Sequence, residues 1–193
     1  MPKTRNNHYV PEWYQKGFLP TGSGDLFYLD LNPDIISLPN GEECRHKSLR
    51  RNPPSKCFCQ KDLYTTFFGD VINDEVERYL FGEIDRQGAS AVRAYISVDV
   101  RAQLEFFREF FLYINAQNIR TPKGLDWIRS RYPTLNQVEL MIEMQAIRHL
   151  HCTFWAEGVR EIVSAEEAET KFLVTDHPVT IFNSAIPPSH DLN

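Results

Sequence analysis

The chain has 193 residues, 42% of them hydrophobic and 12% aromatic, and a formal net charge of -5. That length suits one domain with a sizeable core, and the composition belongs to a folding chain rather than a disordered one. Net acidity excludes a protein that binds polyanions over its whole surface, but the charge is uneven. Residues Cys44 to Lys61 carry six basic side chains and no acidic one, enough for a local phosphate-binding strip.

Met1-Pro2-Lys3-Thr4-Arg5-Asn6-Asn7 leads into no apolar stretch of the kind a secretory signal needs. The longest greasy run, Leu104 to Ile114, is interrupted by Arg108 and Glu109 and is too short to span a bilayer. The cytoplasm is therefore the expected location, no membrane is an expected partner, and Cys44, Cys57, Cys59 and Cys152 are expected to be reduced thiols.

Residues 1–69 are expected to be irregular and β-leaning. Leu26 to Leu31 follows the turn signal Thr21-Gly22-Ser23-Gly24-Asp25 and is predicted as a strand. Asn52-Pro53-Pro54-Ser55 interrupts regular structure within the basic strip. Lys61 to Phe68 fits either a strand or a buried loop.

Three long helices are predicted next. The first runs from about Ile72 to Ile96, with a stripe of Ile72, Val76, Leu80, Ile84, Ala91 and Tyr95. Glu83 and Gln87 lie on or beside that stripe. The second starts at the candidate N-cap Asp99, runs to about Asn118 and ends at Pro122; apolar side chains cover most of its circumference, as in a central buried helix. The third runs from about Asn136 to Val163, including Val138, Met141, Ile142, Ile147 and Val159. Two short β-like runs follow, Lys171 to Thr175 and Val179 to Phe182, separated by Asp176-His177-Pro178. They make a poor sheet alone, and the chain is expected to stop before its sheet is complete. The predicted fold class is α+β: one domain of three long helices packed against a small mixed or antiparallel sheet built from both terminal segments.

Four ordered motifs resemble a known family. Asn7-His8-Tyr9-Val10-Pro11 with Tyr14 and Phe18, Cys59 to Thr65, Val76-Glu77 with Glu83, and Phe172 to Val179 are similar to elements of the bacterial family listed as domain of unknown function 4238. Arg120-Thr121-Pro122 matches a further helix-end motif. Glu12-Trp13, Gln60 and Val174-Thr175 depart from the family pattern. Members are generally longer, in keeping with a missing C-terminal part, and the family's name implies no activity.

The residue types at these motifs suggest a metal-dependent nuclease or phosphoesterase. His8, Glu77, Glu83 and Asp176 would hold a metal or activate water, His177 would join His8, Glu83 and Asp176 as a metal ligand, and Arg120 would steady the phosphate. Magnesium or manganese is the expected cofactor. A bland reading stands beside it: Glu83 pairs with Arg120 structurally, Asp176 caps the turn before Pro178, and His8 bonds backbone.

Cys44, His46, Cys57 and Cys59 offer four zinc-type ligands, but the Cys57-x-Cys59 spacing is too tight for common zinc knuckles, so ordinary thiols are expected. Arg45, Lys47, Arg50, Arg51, Lys56 and Lys61 are the candidate nucleic-acid contacts, and a binding or interaction module without catalysis is the alternative function. His149 and His151 stand two apart and do not share a helix face, and His151 is expected to be a core histidine. No phosphate-binding glycine loop or nucleophile elbow occurs, which excludes P-loop, dinucleotide and α/β-hydrolase chemistry.

Overall fold

The computed structural model of the protein describes residues 3–97, 99–157 and 161–180. Its first third is β-structure made of antiparallel pairs. Strand β1 (Asn6–His8) is followed by a short helix α1 (Glu12–Gln15), then by β2 (Leu26–Leu29), β3 (Ile35–Ser37), β4 (Glu43–Arg45), β5 (Leu49–Asn52), β6 (Cys59–Lys61), β7 (Thr66–Phe68) and β8 (Val71–Asn73). The pairs are β1 with β6, β2 with β5, β3 with β4, and β7 with β8. Among the described residues, the expected single sheet is thus four two-stranded ladders, all from the N-terminal segment. Residues 171–175 form no strand, because the run finds no strand to pair with among the described residues, and Phe172 and Leu173 stay exposed. Residues 181 and 182 of the second expected run, and Val159, lie outside the described residues.

Strands β2 to β5 are one long hairpin. Between the ladders, the Asp30 N–H donates to the Ser48 carbonyl at 2.8 Å and the His46 N–H to the Asp34 carbonyl at 2.9 Å. Residues 34–49 are exposed without exception, so the outer hairpin stands away from the core as an arm.

The class α+β holds, but the helical part differs from the prediction. Six α-helices occur among the described residues, not three long ones: after α1 come α2 (Gly82–Ile96), α3 (Val100–Glu105), α4 (Phe107–Ile119), α5 (Pro122–Arg131) and α6 (Gln137–Glu157). The first expected helix begins later than Ile72, since residues 71–73 are strand, and its first turns are a π-helix, Val76–Phe81. Asp99 does cap α3, its carboxylate accepting from the N–H groups of Arg101 and Ala102. Phe106, at φ -98° and ψ 16°, then breaks the second expected helix in two. The outer piece, α3, is not buried: Val100 and Leu104 face solvent.

Helix α4 is the central element. It buries Phe111, Tyr113, Asn115, Ala116, Gln117 and Ile119 and packs against α2, α5 and α6. Helix α6 contributes the stripe Leu140, Met141, Met144 and Ile147, at the three- and four-residue spacing of one helix face. Ile142, on the opposite side, is exposed.

Two glycines set helix distances. A Cβ on Gly88 would stand 2.6 Å from the Tyr113 ring, so α2 and α4 touch there. A Cβ on Gly124 would stand 2.6 Å from the carbonyl oxygens of both Asn118 and Ile119. Backbone cannot swing aside as a side chain can. Gly124→Ala is expected to destabilise the protein by about 1–3 kcal/mol, read as a lowered urea midpoint at unchanged slope; an unchanged midpoint would mean that α5 does not press on the end of α4.

The N-terminal strap completes the core. Asn7 and Val10 are fully buried. The Asn7 side-chain oxygen accepts from the Tyr64 N–H at 3.2 Å, Gln15 donates to the carbonyls of Val10 and Cys57 at 2.8 and 3.2 Å, and Gln117 donates to the Tyr9 carbonyl at 2.9 Å. Residues 7–11, where the family resemblance is densest, are thus positioned by hydrogen bonds from three separate parts of the chain.

Candidate functional site

A charged cluster lies where the π-helix, α2 and the end of α4 meet. Its floor is Arg120, the residue after α4, whose side chain is entirely buried. One guanidinium nitrogen stands 2.9 Å from Asp85 Oδ1, and the guanidinium carbon lies 5.2 Å from the centre of the Phe81 ring. The Arg120 carbonyl accepts the Tyr64 hydroxyl at 2.6 Å. Burial pulls the guanidinium pKa down, but Asp85, Tyr64 and Tyr113 outweigh it and raise it, so Arg120 carries its charge at any physiological pH.

Glu77 and Asp85 are the carboxylates of the cluster. Glu77, Phe81 and Asp85 follow one another at four-residue spacing along the π-helix and the start of α2, which brings them to one side. Glu77 is partly buried, and burial pushes its carboxyl up to about 7; Asp85 adds to the rise, while Arg120 and the His8 backbone N–H oppose it. Asp85 keeps 23% of its side chain exposed, so the cluster reaches the surface. Glu77 Oε2, Arg120 Nε and Nη1 and the Tyr113 hydroxyl are all buried without a hydrogen-bond partner. Such groups are rare in folded proteins, and four in one place mark a polar site.

The residues expected to form one site are divided by the structure. Glu77 and Arg120 come together. Glu83 does not join them: its side chain is 50% exposed, bridged to Arg86 at 2.6 Å and to Gln87 at 2.6 Å on the outer side of α2. Its expected place on the packed face is corrected, and so is its pairing with Arg120, whose partner is Asp85. Arg120 itself cannot steady a phosphate by contact, because none of its surface is open. The His8 ring turns away from Glu77, with Nε2 3.3 Å from the Ser55 carbonyl and 3.8 Å from Glu12.

Asp176 and His177 lie on an irregular segment held against the end of α4. His177 Nδ1 is 2.6 Å from Thr121 Oγ1, and Asn118 donates to the Val179 carbonyl at 3.0 Å. Burial, with help from Lys123, lowers the His177 pKa. The turn before Pro178 is held by Thr175, whose hydroxyl accepts the His177 N–H at 3.3 Å, rather than capped by Asp176. Asp176 is exposed and adds to the electrostatic rise in the pKa of Tyr9 and Tyr28, whose larger cause is burial. Among the described residues, no three His, Cys, Asp or Glu side chains stand together as a metal-holding group.

The other candidates are likewise dispersed. Cys44 is exposed on β4, while Cys57 is buried and its thiol pushed up to about 11 by burial. His151 lies 6.4 Å from Trp127, and burial lowers its pKa. In the basic strip, Arg50 pairs with Asp30 at 2.7 Å and Arg51 lies over the Phe27 ring at 5.4 Å, whereas Arg45, Lys47, Lys56 and Lys61 are exposed. Asp30, just past the end of the opposing strand, thus supplies an acid that the linear strip lacks. No helix among the described residues is long and apolar enough to cross a membrane.

No family model, no curated protein and no solved structure matches the chain. The likeness to the domain of unknown function 4238 family rests on the ordered motifs alone.

Proposed function

We propose that the chain is a phosphoesterase, with nucleic acid as the substrate class, and that Glu77 is its proton-transfer group. The observation that carries this reading is the buried, unpartnered Glu77 Oε2 in the cluster with Asp85 and the buried Arg120 guanidinium, where burial pushes the carboxyl up to about 7. A group poised there can take a proton from attacking water and return it to the leaving oxygen at neutral pH. The π-helix at Val76–Phe81 supports the same reading, since single π turns occur most often at functional sites. Asp85 would orient the water, and Arg120 is a positioning residue that pairs with Asp85 and restrains the rise in the Glu77 pKa. Magnesium and manganese take one or two protein carboxylates and fill their shell with water and phosphate oxygens; Asp85, the part-exposed carboxylate, would offer such an ion an oxygen while Glu77 moves the proton. His8, Asp176 and His177 remain proposed residues of the rim, outside the cluster.

The test uses labelled single- and double-stranded DNA and RNA, with manganese or with chelator. Cleavage by the wild type, lost by at least about 100-fold in Glu77→Gln, is expected. Equal cleavage by both would remove Glu77 from the chemistry. A salt-sensitive band shift without cleavage, surviving chelation and lost on charge reversal at Arg50 and Arg51, would favour the binding-module alternative.

A further inference from the structure

The outer hairpin has no role in the Glu77 cluster, and its surface has no purpose in a lone molecule. Residues 34–49 are all exposed. The arm nevertheless displays Phe27, Leu29, Leu31, Ile35 and Leu49, each more than half exposed. In the β2–β5 register Leu29 stands opposite Leu49 and Phe27 opposite Arg51. All four face outward, so they form one apolar surface next to a cation. An isolated two-stranded ribbon is marginal in water, and its free edges and apolar face invite another chain.

Charge decides what that chain is. The outer part of the arm, residues 34–45, carries Asp34, Glu42, Glu43 and Arg45 and is net acidic; the root carries Lys47, Arg50 and Arg51 against Asp25 and Asp30 and is net basic. A nucleic-acid backbone would be repelled by the tip. A second arm laid antiparallel places its acidic tip beside the first arm's basic root, and the two-fold axis makes the same contact twice. From this we infer that the arm is a self-association surface: two copies of the chain pair antiparallel along their arms, the end of each that carries Phe27, Leu29, Leu49 and Arg51 lying against the outer end of the other, beside its Glu43.

The experiment is sedimentation of the full chain across about three decades of concentration. The wild type is expected to dimerise. Arg51→Glu alone and Glu43→Arg alone should each weaken the dimer at least about 10-fold, and an equimolar mixture of the two single variants should form heterodimers more tightly than either forms homodimers. Far-UV circular dichroism of each variant, matching the wild type, keeps a loss of pairing distinct from misfolding. A wild type that is monomeric throughout overturns the proposal. So does a mixture that behaves as the average of its parts, since the charges would then not face each other. A monomer whose Arg51 binds duplex DNA or RNA would overturn it in favour of nucleic acid. None of these outcomes depends on whether Glu77 is catalytic.

Discussion

Glu77→Gln is expected to make the protein more stable at pH 8, by about 3 kcal/mol, and to change little at pH 4. The folded carboxyl titrates near pH 7, against an ordinary value of 4.5. Between those two pH values the folded chain holds a proton that the unfolded chain has released. Stability contributed by the neutral carboxyl is therefore complete below about pH 4.5, falls as pH rises, and is gone above about pH 7. Glutamine stays neutral and escapes the loss. Urea unfolding of both proteins at pH 4, 6 and 8 would show the gap opening with pH. A gap of the same size at every pH would mean that Glu77 titrates normally and that its burial has no cost. A carboxyl that lowers stability above pH 7 is the kind of trade of stability for activity that the catalytic role proposed above would make.

Arg120→Met should act in the opposite direction and at least as strongly. Removing the guanidinium leaves Asp85 without its partner and Glu77 without the cation that restrains its pKa. Breaking a buried pair by deleting one member costs about 3–5 kcal/mol, and the loss should be largest above pH 7, where both carboxylates would be charged. Adding Asp85→Asn to Arg120→Met should recover part of it, and the double-mutant cycle isolates the pair. If the two losses simply add, the 2.9 Å contact contributes nothing to stability, and the cluster is held by Tyr64, Phe81 and Tyr113 alone.

Much of this was legible in the sequence, and the errors have physical causes. The apolar stripe put Ile84 and Ala91 on the buried face of α2 and met its end at Ile96 while starting the helix too early, and the turn signal before Leu26 marked β2. Its partner β5 was harder: Leu49-Arg50-Arg51-Asn52 has the charge of a loop and becomes a strand only because β2 lies beside it. Pro122 had two meanings. Taken as a stop it ends α4; taken with Thr121 it starts α5, for Thr121 accepts the Gly124 N–H and proline occupies the first helical turn. Phe106 carries no breaker signal, so the joint between α3 and α4 was unreadable from type alone.

The carboxylates show the same limit at the site. Along an α-helix, a residue six positions beyond Glu77 lies about 240° around the axis and one eight positions beyond lies about 80° around it. Asp85, not Glu83, therefore shares the face of Glu77, and helical angle alone could have chosen it. Residue type alone groups Arg120 with Glu77, but that its partner is Asp85 could not have been read, because the distance between them along the chain is closed only by the packing of α2 on α4.

The strap at residues 7–11 has a consequence for how the molecule is made. A ribosome delivers Tyr9 long before Gln117, the residue that anchors its carbonyl, and before Tyr64, whose amide closes on Asn7. Gln15, β6 and Tyr64 can hold the segment first, and the Tyr9 carbonyl gains its remaining anchor only when α4 has emerged. The strap therefore closes in stages, and its longest-range hydrogen bond reaches a residue 108 positions further along the chain.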